Sequence, residues 1–188
     1  MRLFLHRSPH ADARPDGSPI SLIVLHAISL PPGCFALDGP RALFLGRLDC
    51  ARDPRLAPLR AELEELRVSA HCLIDRAGDI HQFVPLAERA WHAGVSCWRG
   101  RERCNDFSIG IELIGDETTP FTEAQYHSAA ALCRTIIDRY PTIDEESIVG
   151  HRDIAPGRKW DPGAQWNHAR FLALLRRAAP LPPELRLQ

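Results

Sequence analysis

With 188 residues, 45% of them hydrophobic and 25% charged, the chain has enough apolar material for one compact domain and is short for two. Its 23 basic and 24 acidic residues leave a formal charge of -1, which gives no electrostatic reason to expect a nucleic acid or an anionic membrane as partner. No apolar run approaches the roughly 20 residues of a membrane span, and Met1–Arg7 lacks the apolar stretch of about 7–15 residues that a secretory signal needs, so the cytoplasm is the expected location.

Residues 7–19 are rich in Pro, Asp and Gly and read as a loop after a short first strand. Ile20–Leu25 is a continuous apolar run, as expected of a strand buried on both faces, and His26 closes it. Ile28-Ser-Leu-Pro-Pro-Gly33 turns into a long connection in which Leu56–Leu66 looks helical. Ser69–Asp75 and Asp79–Val84 flank Arg76-Ala-Gly-Asp79, a hairpin signature with Gly78 at the turn. Trp91–Asp106 has too little periodicity for a core element and is expected to be an exposed loop of the kind that lines binding sites. Phe107–Ile114 returns to strand character and carries one acid, Glu112.

A helix is signalled from Thr122, which forms a capping-box spacing with Gln125 ahead of the apolar stripe Tyr126, Ala129, Ala130, Cys133, Ile136, Ile137 and Tyr140; Pro141 ends it. Ser147–His151 reads as a short strand finishing in histidine, 152–163 as a loop, and the segment from about Asn167 as a last helix. The Pro-rich tail 180–188 is expected to lie on the surface. Mixed strand and helix order predicts an α/β fold: a mixed central β-sheet flanked by helices, in a single domain over residues 1–188.

The six cysteines contain no Cys-x-x-Cys pair, so neither a structural zinc nor a disulfide framework is expected; reduced, mostly buried thiols are. Cys72 directly follows His71, but neighbours on a strand face opposite ways, which argues against a Cys–His nucleophile.

Two of nine histidines, His26 and His151, stand at the downstream ends of apolar strands, where side chains can converge at one sheet edge. A single histidine so placed is more often a hydrogen-bonded core residue than a ligand; two shift the balance. Ten residues after His151 lies Asp161, in a loop whose turns Pro156, Gly157, Pro162 and Gly163 can fix. Two imidazoles and one carboxylate are typical of catalytic zinc with a fourth position left for water, although spacing alone leaves Asp161 equally open as a turn residue before Pro162. Glu112 shares strand parity with the small Ser108 and Gly110, which leaves room beside it and favours a cleft. Lys159 is the one lysine among the 23 basic residues; accident is the plain explanation, and a site that needs a compact ammonium the alternative.

Five blocks carry a resemblance: 25–33 (LHAISLPPG), 68–74 (VSAHCLI), 89–96 (RAWHAGVS), 100–113 (GRERCNDFSIGIEL) and 150–163 (GHRDIAPGRKWDPG). Together, over roughly residues 20–176, they resemble the AmpD-type 1,6-anhydro-N-acetylmuramoyl-L-alanine amidases, zinc amidases related to peptidoglycan-recognition proteins. The resemblance implies one zinc ion on His26, His151 and Asp161, with Glu112 handling the proton of the attacking water and Lys159 stabilising the oxyanion. It implies a muropeptide substrate cut between N-acetylmuramic acid and L-alanine during cell-wall recycling by a monomeric enzyme. Arg67, Arg103 and Arg158 lie in or beside the matched blocks as candidates for the peptide carboxylates, and Trp91 as one for stacking on the sugar; surface charge or loop packing explains these four equally well. His71 and His92 are further cleft candidates, with structural roles favoured. Ala27 departs from the pattern, since relatives of this type often carry Asn after the first ligand.

Three other readings stay open on sequence alone: a muropeptide-binding module that does not cleave, a periplasmic amidase acting on intact wall, and a glycosidase using Glu112 with a second acid. The complete ligand set speaks against the first and the missing export signal against the second.

Overall fold

The computed structural model describes residues 1–188. Its elements run β1 (Leu3–Leu5), β2 (Ala11–Asp12), β3 (Leu22–Ile28), α1 (Asp38–Phe44), α2 (Arg60–Glu65), β4 (Cys72–Ile74), β5 (Ile80–Gln82), β6 (Arg89–Ala90), β7 (Cys97–Trp98), β8 (Arg101–Glu102), β9 (Ser108–Ile114), α3 (Glu123–Arg139), β10 (Ile148–Gly150), α4 (His151–Ile154) and α5 (His168–Leu175). Six strands form one sheet in the order β1-β5-β4-β9-β3-β10. Only the β4–β5 hairpin is antiparallel, so the sheet is mixed, as the element order predicts.

The two longest strands lie side by side at the centre. β3 pairs with β9 from Leu22↔Ser108 to Ile28↔Ile114, which carries β3 two residues past His26, where the apolar run had suggested an end. One parity of this pair, Ile23, Leu25, Ile109, Ile111 and Leu113, packs with Cys72 and Ile74 against α3 and α5. The opposite parity divides: Leu22 and Val24 meet Ala93, Phe107 and Val149, while Leu73 and Ile114 meet the apolar residues of α1 and α2. His26 and Glu112 are paired in register and belong to this second face.

Several local signals hold. Thr122 accepts from the Gln125 N–H while the Gln125 side chain accepts from the Thr122 N–H, the reciprocal cap that the spacing predicts. Such a cap contributes about 1 kcal/mol. Gly78 turns the β4–β5 hairpin with φ +82°, and a Cβ there would sit 2.8 Å from the Ala124 carbonyl oxygen.

Other expectations are corrected. The helical stretch near Leu56–Leu66 is a 3₁₀ segment, Pro54–Leu59, followed by the short α2, because Pro58 cannot donate within a regular helix. The segment Trp91–Asp106 is not simply exposed: it begins against β6 and includes the β7–β8 ribbon, and it buries His92, Ala93, Ser96 and Cys104. His151 is the first residue of α4 rather than the last of a strand. The Pro-rich tail is docked, with Leu181 buried, Leu185 and Leu187 packed against the core, and Gln188 N–H donating to Gln82 Oε1 at 2.8 Å.

All six cysteines are free thiols; Cys50, Cys72, Cys104 and Cys133 are buried.

Candidate metal centre

β3, β9 and β10 are parallel neighbours, so their carboxyl ends open at one edge of the sheet, where ligand sites of such sheets are commonly built. His26 is delivered by β3, Glu112 by β9, and His151 by the first residue after β10. Asp161 returns to the same point through the loop that follows α4. Arg152 N–H donates to the Asp161 carbonyl at 3.0 Å, which ties that loop back to the start of α4. A Cβ at Gly150 would lie 2.8 Å from the Pro162 ring, so the glycine before His151 permits this close return.

Three atoms converge there. His26 Nδ1 and His151 Nδ1 are 2.9 Å apart, and Asp161 Oδ2 lies 3.2 Å from the first and 3.1 Å from the second. All three residues are buried. The far nitrogen of His151 faces the Ala93 carbonyl at 3.1 Å, which only a ring N–H can satisfy, so in the neutral form Nδ1 is the nitrogen left for the cluster. His26 Nε2 is 2.9 Å from His92 Nδ1. Two ligands bound at about 2.0–2.1 Å in tetrahedral geometry stand ~3.3 Å apart, close to each side of this triangle.

The electrostatics follow from enclosure. Burial pushes His26 down to about 4, against the facing carboxylate of Asp161. Burial alone would raise Asp161, but it is outweighed by the two imidazoles that face it, His151 and His26, which hold the carboxyl well below its ordinary range. Glu112 is shifted well above the ordinary carboxyl range by burial and then by the charge of Asp161, with Lys159 opposing. Its Oε2 is shielded from solvent and has no hydrogen-bond partner.

The remaining candidates are spread more widely. Arg158 donates to the Ala93 and Val95 carbonyls at 2.8 and 2.7 Å, anchoring the loop that also faces His151. With Arg103 it lines a cavity of about 530 Å³ between residues 94–97 and 154–158. Arg103 has left-handed backbone (φ +61°) and pairs with Asp106 at 3.1 Å. Arg67 is exposed at the end of α2 and donates to the Glu64 and Leu66 carbonyls. Trp91 is half-buried, its ring 6.0 Å from that of His10. Neither of the last two has a hydrogen bond to the cluster.

His71 has its nitrogens occupied, Nδ1 accepting from Gly110 N–H and Nε2 facing the Glu88 carbonyl, each at 3.0 Å. Ala27 packs with the core on the opposite face of the sheet from His26, so the residue type there does not bear on the cluster directly. Sequence reasoning missed Ser108 and the Ala93 carbonyl. The small residues Ser108 and Gly110 were the available signal, but the space beside Gly110 is filled: a Cβ would fall 2.4 Å from the His92 ring.

A sequence profile described as N-acetylmuramoyl-L-alanine amidase matches residues 16–164, most of the chain. The chain belongs to the N-acetylmuramoyl-L-alanine amidase family. Within this family it is similar to the 1,6-anhydro-N-acetylmuramyl-L-alanine amidase AmpD of Escherichia coli, with 55% identity over 168 residues and 89% of each chain covered. The crystal structure of a selenomethionine AmpD derivative superposes with a TM-score of 0.87 at 52% identity, covering 93% of this chain and 94% of that one. The amidase AmiD of E. coli, solved with the substrate anhydro-N-acetylmuramic acid-L-Ala-D-γ-Glu-L-Lys, gives a TM-score of 0.60 at 31% identity over 92% of this chain and 64% of that one.

Proposed function

We propose that this amidase hydrolyses the amide between (1,6-anhydro-)N-acetylmuramic acid and L-alanine in muropeptides, using one zinc ion held by His26, His151 and Asp161. The observation that carries the metal site is the triangle of His26 Nδ1, His151 Nδ1 and Asp161 Oδ2, with sides of 2.9–3.2 Å. Lone pairs on these three atoms repel at such range unless a proton or a metal cation lies between them, and a metal ion serves all three at once. The set of two nitrogens and one oxygen suits zinc, and three protein ligands are the number a catalytic zinc would take.

When bound, zinc would polarise the carbonyl and bring the pKa of water toward neutrality. The rest falls to the chain. Glu112, beside His26 in the sheet register and with a free Oε2, takes the proton of the attacking water. The water oxygen adds to the lactyl carbonyl, the C–N bond breaks, and Glu112 passes the proton to the leaving alanine amine. Lys159, close enough for its charge to act on both Glu112 and His26, stabilises the negative charge that develops on the carbonyl oxygen. Arg103 and Arg158, which line one cavity, are the proposed partners of the peptide carboxylates, with Arg67 and Trp91 as further candidates for substrate contact.

Within this reading the chain acts as a single amidase domain and monomer in cytoplasmic cell-wall recycling; no helix is long and apolar enough to cross a membrane. Mass spectrometry of products from anhydro-muropeptide, with and without chelator, is the direct test. Free peptide that disappears on chelation and returns with zinc is expected; intact substrate bound by zinc-loaded protein would instead support a recognition module.

A further inference from the structure

His92 lies beside the cluster without reaching its centre. Its ring rests on the bare Cα of Gly110, with Nδ1 2.9 Å from His26 Nε2 and Nε2 3.2 Å from Ser108 Oγ. Ser108 Oγ in turn lies 2.5 Å from the Cys104 carbonyl oxygen. Each of these contacts needs one proton between its two atoms, and the order in which the protons must sit has one solution. A carbonyl can only accept, so Ser108 spends its single hydroxyl proton on Cys104. Ser108 Oγ must then accept from His92, which puts the His92 proton on Nε2. A neutral His92 therefore has a bare Nδ1, and that atom can only accept from His26 Nε2–H. His26 is left with its lone pair on Nδ1, the atom that faces His151 and Asp161.

We infer that His92 is a positioning residue for the metal centre: the one-way chain His26 → His92 → Ser108 → Cys104 carbonyl fixes the tautomer of His26 in which Nδ1 is free to bind a metal ion. The inference rests on the zinc reading above. It gives the two histidine ligands parallel arrangements, because His151 Nε2–H is held by the Ala93 carbonyl, one residue from His92. It also accounts for Gly110, since any side chain there would displace the His92 ring. His92, Ser108 and the Cys104 carbonyl are all buried, so water is not a ready substitute partner.

Three proteins separate the hydrogen bond from mere packing. His92→Phe keeps a ring over Gly110 and removes the acceptor; His92→Asn places an amide oxygen close to where Nδ1 stood; Ser108→Ala removes the group that orients His92. Zinc affinity is read by competition with a chromophoric chelator, with thermal melting as the control for folding. Loss of a hydrogen-bond partner behind a ligand histidine weakens metal binding by about 10–100-fold, which is the expectation for His92→Phe, with His92→Asn within ~3-fold of wild type and Ser108→Ala between the two.

Nitrogen-15 histidine spectra of zinc-loaded wild type provide a reading that does not depend on any variant folding, and His92 is expected as the Nε2–H tautomer. A proton on His92 Nδ1, wild-type zinc affinity in His92→Phe, or equal weakening in His92→Phe and His92→Asn would each overturn the inference. Wild-type protein that takes up no zinc removes the metal reading itself and this inference with it, a result distinct from zinc binding that ignores His92.

Discussion

The corner formed by His26 and His151 and the strut formed by His71 make an instructive pair. All three imidazoles are buried, and burial holds His26 and His71 below the ordinary histidine range. His71 accepts at Nδ1 from Gly110 N–H and turns Nε2 to the Glu88 carbonyl, with Arg14 Nη2 also 3.0 Å from that nitrogen, so each of its polar atoms has a partner in the fold. In the corner, the outer nitrogens are matched in the same way, by Ala93 and His92, but the inner ones face each other and a carboxylate. The difference is one of pairing, not of residue type or depth. A histidine with a complementary partner on each nitrogen holds the fold together; two whose inner nitrogens converge with a carboxylate could hold a cation.

That contrast can be broken by substitution. His151→Ala is expected to reduce zinc content from one per chain to near zero and turnover to background, as measured by elemental analysis and product release. Glu112→Ala should keep its zinc and lose on the order of 10²–10⁴-fold in kcat, the usual contribution of a proton-transfer group. Equal zinc loading of both variants would contradict the division of roles. Replacing Lys159 by Ala should cost about 10²–10³-fold in kcat, as loss of an oxyanion partner does, with Lys159→Arg impaired in turnover but unchanged in melting temperature.

The strut should respond in stability instead. Arg14 donates to the Asn105, Asp106, Leu86 and Ser108 carbonyls around His71, so Arg14→Ala leaves buried acceptors unpaired and should cost about 2–4 kcal/mol by urea denaturation, with zinc binding intact. An effect of similar size is expected from pH. Burial and the charge of Arg14 push His71 down to about 3, from an unfolded value near 6.5. Between those values the unfolded chain binds more protons than the folded one, so stability is full above about pH 6.5 and falls as the pH drops toward 3. Urea midpoints of the metal-free protein that stay constant from pH 7 to 4.5 would contradict this.

Much of the molecule could be read from local pattern. The run Ile20–Leu25, the Gly78 hairpin and the Thr122–Gln125 cap each depend on near neighbours in sequence, and each appears where expected. What escaped depends on distant partners. β2 and β6 are two residues each and exist through their pairing, Ala11↔Ala90 and Asp12↔Arg89. α1 was hidden by Gly39 and Pro40, which read as breakers although proline is tolerated in a first turn where the N–H has no partner. Leu181, Leu185 and Leu187 were masked by the prolines around them.

The candidate ligands were legible through strand ends and through five matching blocks. The chain from His26 to the Cys104 carbonyl was not, because its four members come from three separate stretches and acquire meaning only in contact. His92 was visible as a histidine, but neither Ser108 nor Gly110 announces in sequence that its role is to seat that ring.

Zinc-edge anomalous diffraction from crystals grown with zinc tests the metal centre most directly. A single peak about 2.0–2.2 Å from His26 Nδ1, His151 Nδ1 and Asp161 Oδ2 is the expected result. A fully occupied zinc elsewhere, with these three atoms left bare, would contradict it.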